Sequence, residues 1–103
     1  DASKNVFKAP VAGTYLMGAC YVYKRNSSDD AKLQGRLVKN GNFEVSGSFG
    51  ELSGLHRSGA SSLNLQTMVA LAASDTIECQ ARFRQADGYI MADKSAFWGC
   101  KIG

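Results

Sequence analysis

The chain is 103 residues long, 45% apolar and 20% charged, with eleven glycines, one proline and a net charge of +3. That composition belongs to one small globular domain and excludes a disordered tail, a collagen-like repeat and a coiled coil. No stretch approaches the roughly 18 consecutive apolar residues of a membrane-spanning helix, so no membrane insertion is expected.

The opening residues 1–10 carry neither a basic nor an apolar leader region, and Asp1 in place of Met reads as the start of a piece cut from a longer protein. Val6–Ala9 is a short candidate strand, punctuated by Pro10 and Gly13. Thr14–Lys24 then reads as a long strand without a polar face: Tyr15, Met17, Ala19, Tyr21 and Tyr23 line one side, and Leu16, Gly18, Cys20 and Val22 the other. One side can fill a sandwich core. The other needs a cover that a chain this short lacks, which points to a partner subunit.

Arg25–Ala31 is a polar loop, and Lys32–Lys39 alternates up to Asn40-Gly41, a hairpin signal because both residues tolerate positive φ. A return strand is expected over Asn42–Phe49, with Phe43, Val45, Gly47 and Phe49 on one face. Gly50–Ser61 reads as a long functional loop. Ser62–Leu71 resumes the alternation with Leu63, Leu65, Thr67, Val69 and Leu71 as its apolar face, Ala72–Asp75 turns, and Thr76–Arg84 sets Ile77, Cys79, Ala81 and Phe83 against polar neighbours. Asp87-Gly88 marks another turn into Tyr89–Ala92. Ser95–Ile102 closes the domain with bulk on both faces, Ala96, Trp98, Cys100 and Ile102 opposing Phe97, and so reads as a central strand. Seven or eight short strands and no convincing helix argue an all-β sandwich, jelly roll or barrel in a single domain spanning residues 1–103.

Chemistry-bearing motifs are few. The basic residues are scattered and form no stripe, so no nucleic-acid partner is expected. Cys20, Cys79 and Cys100 each sit in apolar runs; three buried thiols in a chain that folds in a reducing compartment is the leading reading, with one disulfide plus a free thiol as the alternative. With His56 the only histidine, neither a zinc site nor a Ser-His-Asp triad is supported, and no cofactor fingerprint or phosphate loop is present. No enzyme and no cofactor are therefore expected. Asp29 and Asp30 read as a solvated turn in preference to a calcium loop, and Asn26-Ser27-Ser28 fits a glycosylation acceptor that matters only in a secreted eukaryotic protein.

Asn5–Lys24, with its strand, Pro-x-x-Gly turn and long aromatic strand, Leu37–Gly41, Leu63–Phe83 and Ser95–Gly103 together resemble the tumour-necrosis-factor and complement globular-head superfamily of trimeric jelly rolls, which includes knob-like tips of bacteriophage fibres and tail needles. Ser74 departs from it by standing where the family usually has Gly before the Asp, and the family's first strand is missing or lies before Asp1. The resemblance implies an antiparallel jelly-roll knob at the C-terminal part of a longer chain. It also implies a homotrimer whose axis is lined by the long second strand and the closing strand, with Leu16, Gly18, Cys20, Phe97 and Trp98 as interface candidates and Tyr15, Met17 and Tyr21 in the core. The function expected is trimer registration and attachment to a host-surface glycan or protein, on a virion assembled in the bacterial cytoplasm. Loop residues Asn26, Asp29, Asp30, His56 and Arg57 are the binding candidates, with Gln85–Gly88 alongside. The alternatives are a C-terminal trimerisation module of a larger secreted or virion enzyme, and an extracellular binding head.

Overall fold

The computed structural model describes residues 6–25, 31–54, 60–84, 88–91 and 94–103. Nine strands account for most of them: β1 (Val6–Lys8), β2 (Gly13–Arg25), β3 (Ala31–Lys39), β4 (Phe43–Glu44), β5 (Gly50–Gly54), β6 (Ser61–Leu71), β7 (Thr76–Arg84), β8 (Gly88–Ile90) and β9 (Ala96–Lys101). All pairings are antiparallel. Sheet A runs β1-β7-β3-β4 with β5 also on β3, and sheet B runs β6-β2-β8 with β9 also on β2. The chain crosses repeatedly from one sheet to the other, and the two pack face to face as an antiparallel jelly-roll sandwich.

The core forms where the apolar faces of the two sheets meet. Strand β2 contributes Tyr15, Met17, Ala19, Tyr21 and Tyr23, facing Leu33 and Leu37 of β3 and Ile77 of β7, while Leu63, Leu65 and Leu71 of β6 fill the flank. Tyr15, Met17 and Tyr21 therefore occupy the core side, as the resemblance implied. The tyrosines carry polar tips into this interior, and two of them are satisfied at the margins: the Tyr15 hydroxyl donates to the Val11 carbonyl at 2.7 Å and the Tyr23 hydroxyl to the Leu52 carbonyl at 2.6 Å. The Tyr21 ring lies over Gly35, where a Cβ would come within 3.0 Å of it, so the missing side chain at 35 is the space the ring occupies.

The Asn40-Gly41 hairpin is present: φ of 52° and 81° gives the double positive of a type I′ turn, the Asn42 amide donates to the Lys39 carbonyl at 3.3 Å, and pairing resumes at Lys39 and Phe43. Its return arm differs from expectation. Only Phe43–Glu44 pairs as strand; the chain then turns at Ser46-Gly47, Gly47 having φ 80°, and resumes pairing with β3 at Gly50. Ser48 makes the break possible. Its fully buried hydroxyl accepts from the Leu37 amide at 3.1 Å and donates to the Val45 carbonyl at 2.6 Å, with the Leu37 carbonyl 3.2 Å away, replacing ladder bonds that the interrupted strand leaves out. Residues 50–54, expected as loop, consequently form β5, and Phe49, just before it, is exposed beside the same depression as Arg36.

At the same end, the Ala72–Asp75 turn is locked onto the hairpin. The Asp75 carboxylate accepts from the Ala72 amide at 2.9 Å and from the Asn40 side chain at 3.1 Å, with Lys39 at 3.6 Å; the first two bonds, then the Lys39 charge, hold its pKa below the usual carboxylate range. Ser74 sits in this turn at φ 74°, the left-handed region that disfavours a Cβ. Ser74→Gly should therefore raise stability by about 0.5–1 kcal/mol, read as an upward shift in the urea midpoint at unchanged slope. A fall in the midpoint would mean that the serine side chain contributes more than its backbone costs.

The closing strand also differs from its sequence reading. Among the described residues β9 pairs on one side only, with β2. Its two-sided bulk has another cause: Phe97 packs on the core, while Trp98 on the opposite face lies against Gly18, where an added Cβ would come 2.3 Å from the indole.

Candidate functional site

The two outward sheet faces differ in chemistry. On sheet A, cross-strand register places Gln34 beside Arg82 and Glu51, Arg36 beside Gln80, and Val38 beside Glu44 and Glu78. Hydrogen bonds tie this lattice together: Arg82 Nε donates to Gln34 Oε1 at 2.7 Å, Arg36 Nε to Gln80 Oε1 at 3.0 Å, and Gln80 Nε2 to Glu78 Oε1 at 2.8 Å. Arg36 and Arg84 also reach carboxylates, Glu44 at 3.4 Å and Glu51 at 3.1 Å.

On sheet B, Leu16 lies between Met68 and Cys100, Gly18 between Gln66 and Trp98, and Cys20 between Asn64 and Ala96. Four of the predicted interface residues, Leu16, Gly18, Cys20 and Trp98, thus share one outward face. Phe97 does not join them, because adjacent residues of a strand point to opposite faces and it is drawn into the core. Trp98 is 42% exposed, Met68 64%, and Ile102, just past β9, 51%, so this end of the face is an open apolar surface. Toward the other end β6 presents Ser62, Asn64 and Gln66, and the Cys20 thiol contacts the Ser62 hydroxyl at 3.3 Å. Met68 is not among the interface residues expected from sequence, because the odd-numbered apolar face of its strand dominates the pattern; its signal is Met68 and Ala70 breaking the polar run on the even face.

All three cysteines are free, but they are not the buried thiols expected: Cys20 and Cys79 are half-buried and Cys100 is exposed. Cys20 and Cys100 lie on the same face, but Cys100 pairs opposite Leu16 and Cys20 opposite Ala96, an offset of four residues and about 13 Å along the strand. A disulfide needs Cα atoms within about 7 Å, so these two cysteines cannot supply the single disulfide of the alternative reading in this fold. Cys79 belongs to the core side of sheet A, where burial pushes its thiol up to about 11. Nearby, burial also raises the pKa of the Tyr21 hydroxyl, which is enclosed without an aligned partner.

The binding candidates Asn26, Asp29, Asp30, His56 and Arg57 lie outside the described residues, as does most of Gln85–Gly88. The strand ends that carry these segments are nonetheless placed. Arg25 pairs with Gly88, Ala31 with Gly54, Lys32 with Arg84 and Tyr23 with Ser61, so the strand ends that flank these segments lie together at one end of the sandwich, opposite the tight turns at Asn40 and Asp75. Comparison with protein-family models and with curated proteins finds no match to the chain.

Proposed function

We propose that the chain is a non-enzymatic homotrimeric knob of the tumour-necrosis-factor-like type, carried on a bacteriophage fibre, needle or similar virion appendage, where it registers the trimer and attaches to a host surface. The observation that carries this reading is the contrast between the faces: sheet A turns a charged, hydrogen-bonded lattice outward, whereas β2, β6 and β9 turn out Leu16, Met68 and Trp98. An open apolar face of this kind is stabilised by burial against identical copies. The two strands that the resemblance assigns to the axis, β2 and β9, are direct neighbours and can present one continuous surface.

The gathering at one end of the strand ends that flank the three candidate segments favours attachment over a bare trimerisation module. Three weak contacts presented together by a trimer bind firmly through effective concentration, without needing a deep pocket. Free thiols suit assembly in a reducing bacterial cytoplasm.

Light scattering coupled to size-exclusion chromatography tests the assembly. The wild-type chain should give a mass near three times 11.0 kDa at micromolar concentration. Leu16→Glu, which places a charge in the middle of the apolar face, should give the monomer mass with an unchanged far-ultraviolet spectrum. A wild-type monomer overturns the trimeric knob, and a trimer unaffected by Leu16→Glu places the interface elsewhere.

A further inference from the structure

The outer face of sheet A holds an open depression of about 630 Å³, lined by Gln34, Arg36, Glu44, Phe49, Gln80 and Arg82. That volume lies within the range of small-ligand sites. The geometry points to a binding site for a carboxylated saccharide on this face.

Charge bookkeeping singles out the anchor. Arg36 is neutralised by Glu44 and Arg84 by Glu51, but Arg82, beside them, is held only through its Nε on the neutral Gln34 side chain. Among the described residues nothing occupies its two terminal nitrogens. Gln34 is itself buried to 8% exposure, so its amide fixes the plane of the guanidinium and leaves an oriented two-nitrogen fork. Such a fork matches a carboxylate in bidentate geometry.

Phe49 adds a second requirement. It is 53% exposed and lines the depression together with the polar side chains of Gln34, Arg36, Glu44, Gln80 and Arg82, brought there by the turn at Ser46-Gly47. An aromatic ring at the rim of a polar depression offers a flat surface to the C–H side of a sugar ring. Gln80 and Glu44 then face hydroxyl groups as donor and acceptor. An acidic peptide would use the fork but has no flat C–H face for the ring, so the saccharide fits the whole set of groups better.

The test is amide chemical-shift titration of the full chain at low salt with sialyllactose and with trigalacturonate, both carboxylated, against lactose, inorganic phosphate and triglutamate. At least one carboxylated sugar should shift amides around Arg36, Phe49, Gln80 and Arg82, and lactose should bind roughly tenfold more weakly or not at all. Arg82→Gln should remove the response and Phe49→Ala weaken it, whereas Arg84→Gln, which lowers the net charge equally, should leave it intact. Silence to both carboxylated sugars overturns the site. Equal binding of phosphate or triglutamate reduces it to a plain anion site and overturns the saccharide assignment. Equal loss in Arg82→Gln and Arg84→Gln overturns the fork. The site stands on sheet A alone: a monomer that binds the sugar keeps it, and a trimer that does not bind loses it.

Discussion

Tyr23→Ala should cost about 3–5 kcal/mol of folding stability, a large share of the roughly 5–15 kcal/mol that holds a domain of this kind together. Tyr23 belongs to sheet B but completes sheet A. Its ring is fully buried, meets Phe83 of β7 edge-on at 5.8 Å, and its hydroxyl donates to the Leu52 carbonyl of β5. One side chain therefore clips three strands at the end that bears the three connecting segments. Truncation leaves a cavity between the sheets and an unsatisfied carbonyl at the edge of β5. Tyr23→Phe keeps the packing and loses only the bond, so it should cost about 0.5–1.5 kcal/mol. Chemical denaturation of the two variants separates the contributions. Equal losses would show that the hydroxyl, not the ring, is what the site needs.

Gly18→Val should displace the indole of Trp98 and lower stability by about 1–3 kcal/mol, because even a Cβ at position 18 would lie 2.3 Å from the ring. Trp98 is the only tryptophan, so its emission reports the event without ambiguity. The spectrum should shift to the red as the ring leaves the sheet surface for water, and Gly18→Ala should do the same to a lesser degree. An unshifted spectrum would mean that the ring is held by groups other than the surface of β2. Because Gly18 and Trp98 sit on the proposed interface, Gly18→Val should also weaken the trimer, and comparison with Leu16→Glu distinguishes reshaping of the surface from charging it.

Much of the sandwich is legible in the chain because period-2 alternation is a direct record of which face is wet. The alternation of Thr76–Arg84 and the Asn40-Gly41 dipeptide translate into strand and turn at the expected residues. Residues 42–54 do not, because Phe43, Val45, Gly47 and Phe49 keep a strand rhythm across a real break. What ends the strand is a glycine at positive φ followed by a serine hydroxyl standing in for ladder bonds, and neither leaves a mark in the hydrophobic pattern. The outward apolar face was readable from the two-sided β2. Its extension to Met68, and the exclusion of Phe97, depend on the cross-strand register, which no single strand encodes. That Arg82 and Phe49 line one depression was hidden for the same reason: Arg82 on β7 and Phe49 just before β5 lie on opposite sides of β3 and are brought together only once the sheet forms.

The strand order carries a further consequence for synthesis. Strand β2 is the centre of its sheet, yet every neighbour it has, β6, β8 and β9, is encoded after it, the last at residues 96–101. A ribosome making this chain releases an apolar, aromatic-rich segment at residues 13–25 long before anything can pair with either of its edges. Sheet A can begin sooner, from the adjacent β3 and β4. Sheet B must wait for residues 61–71, where β6 covers one edge of β2, and then for β8 and β9 to cover the other, so the nascent chain passes through a stage in which its stickiest strand is bare, and a slow approach to the native sandwich follows from the topology itself.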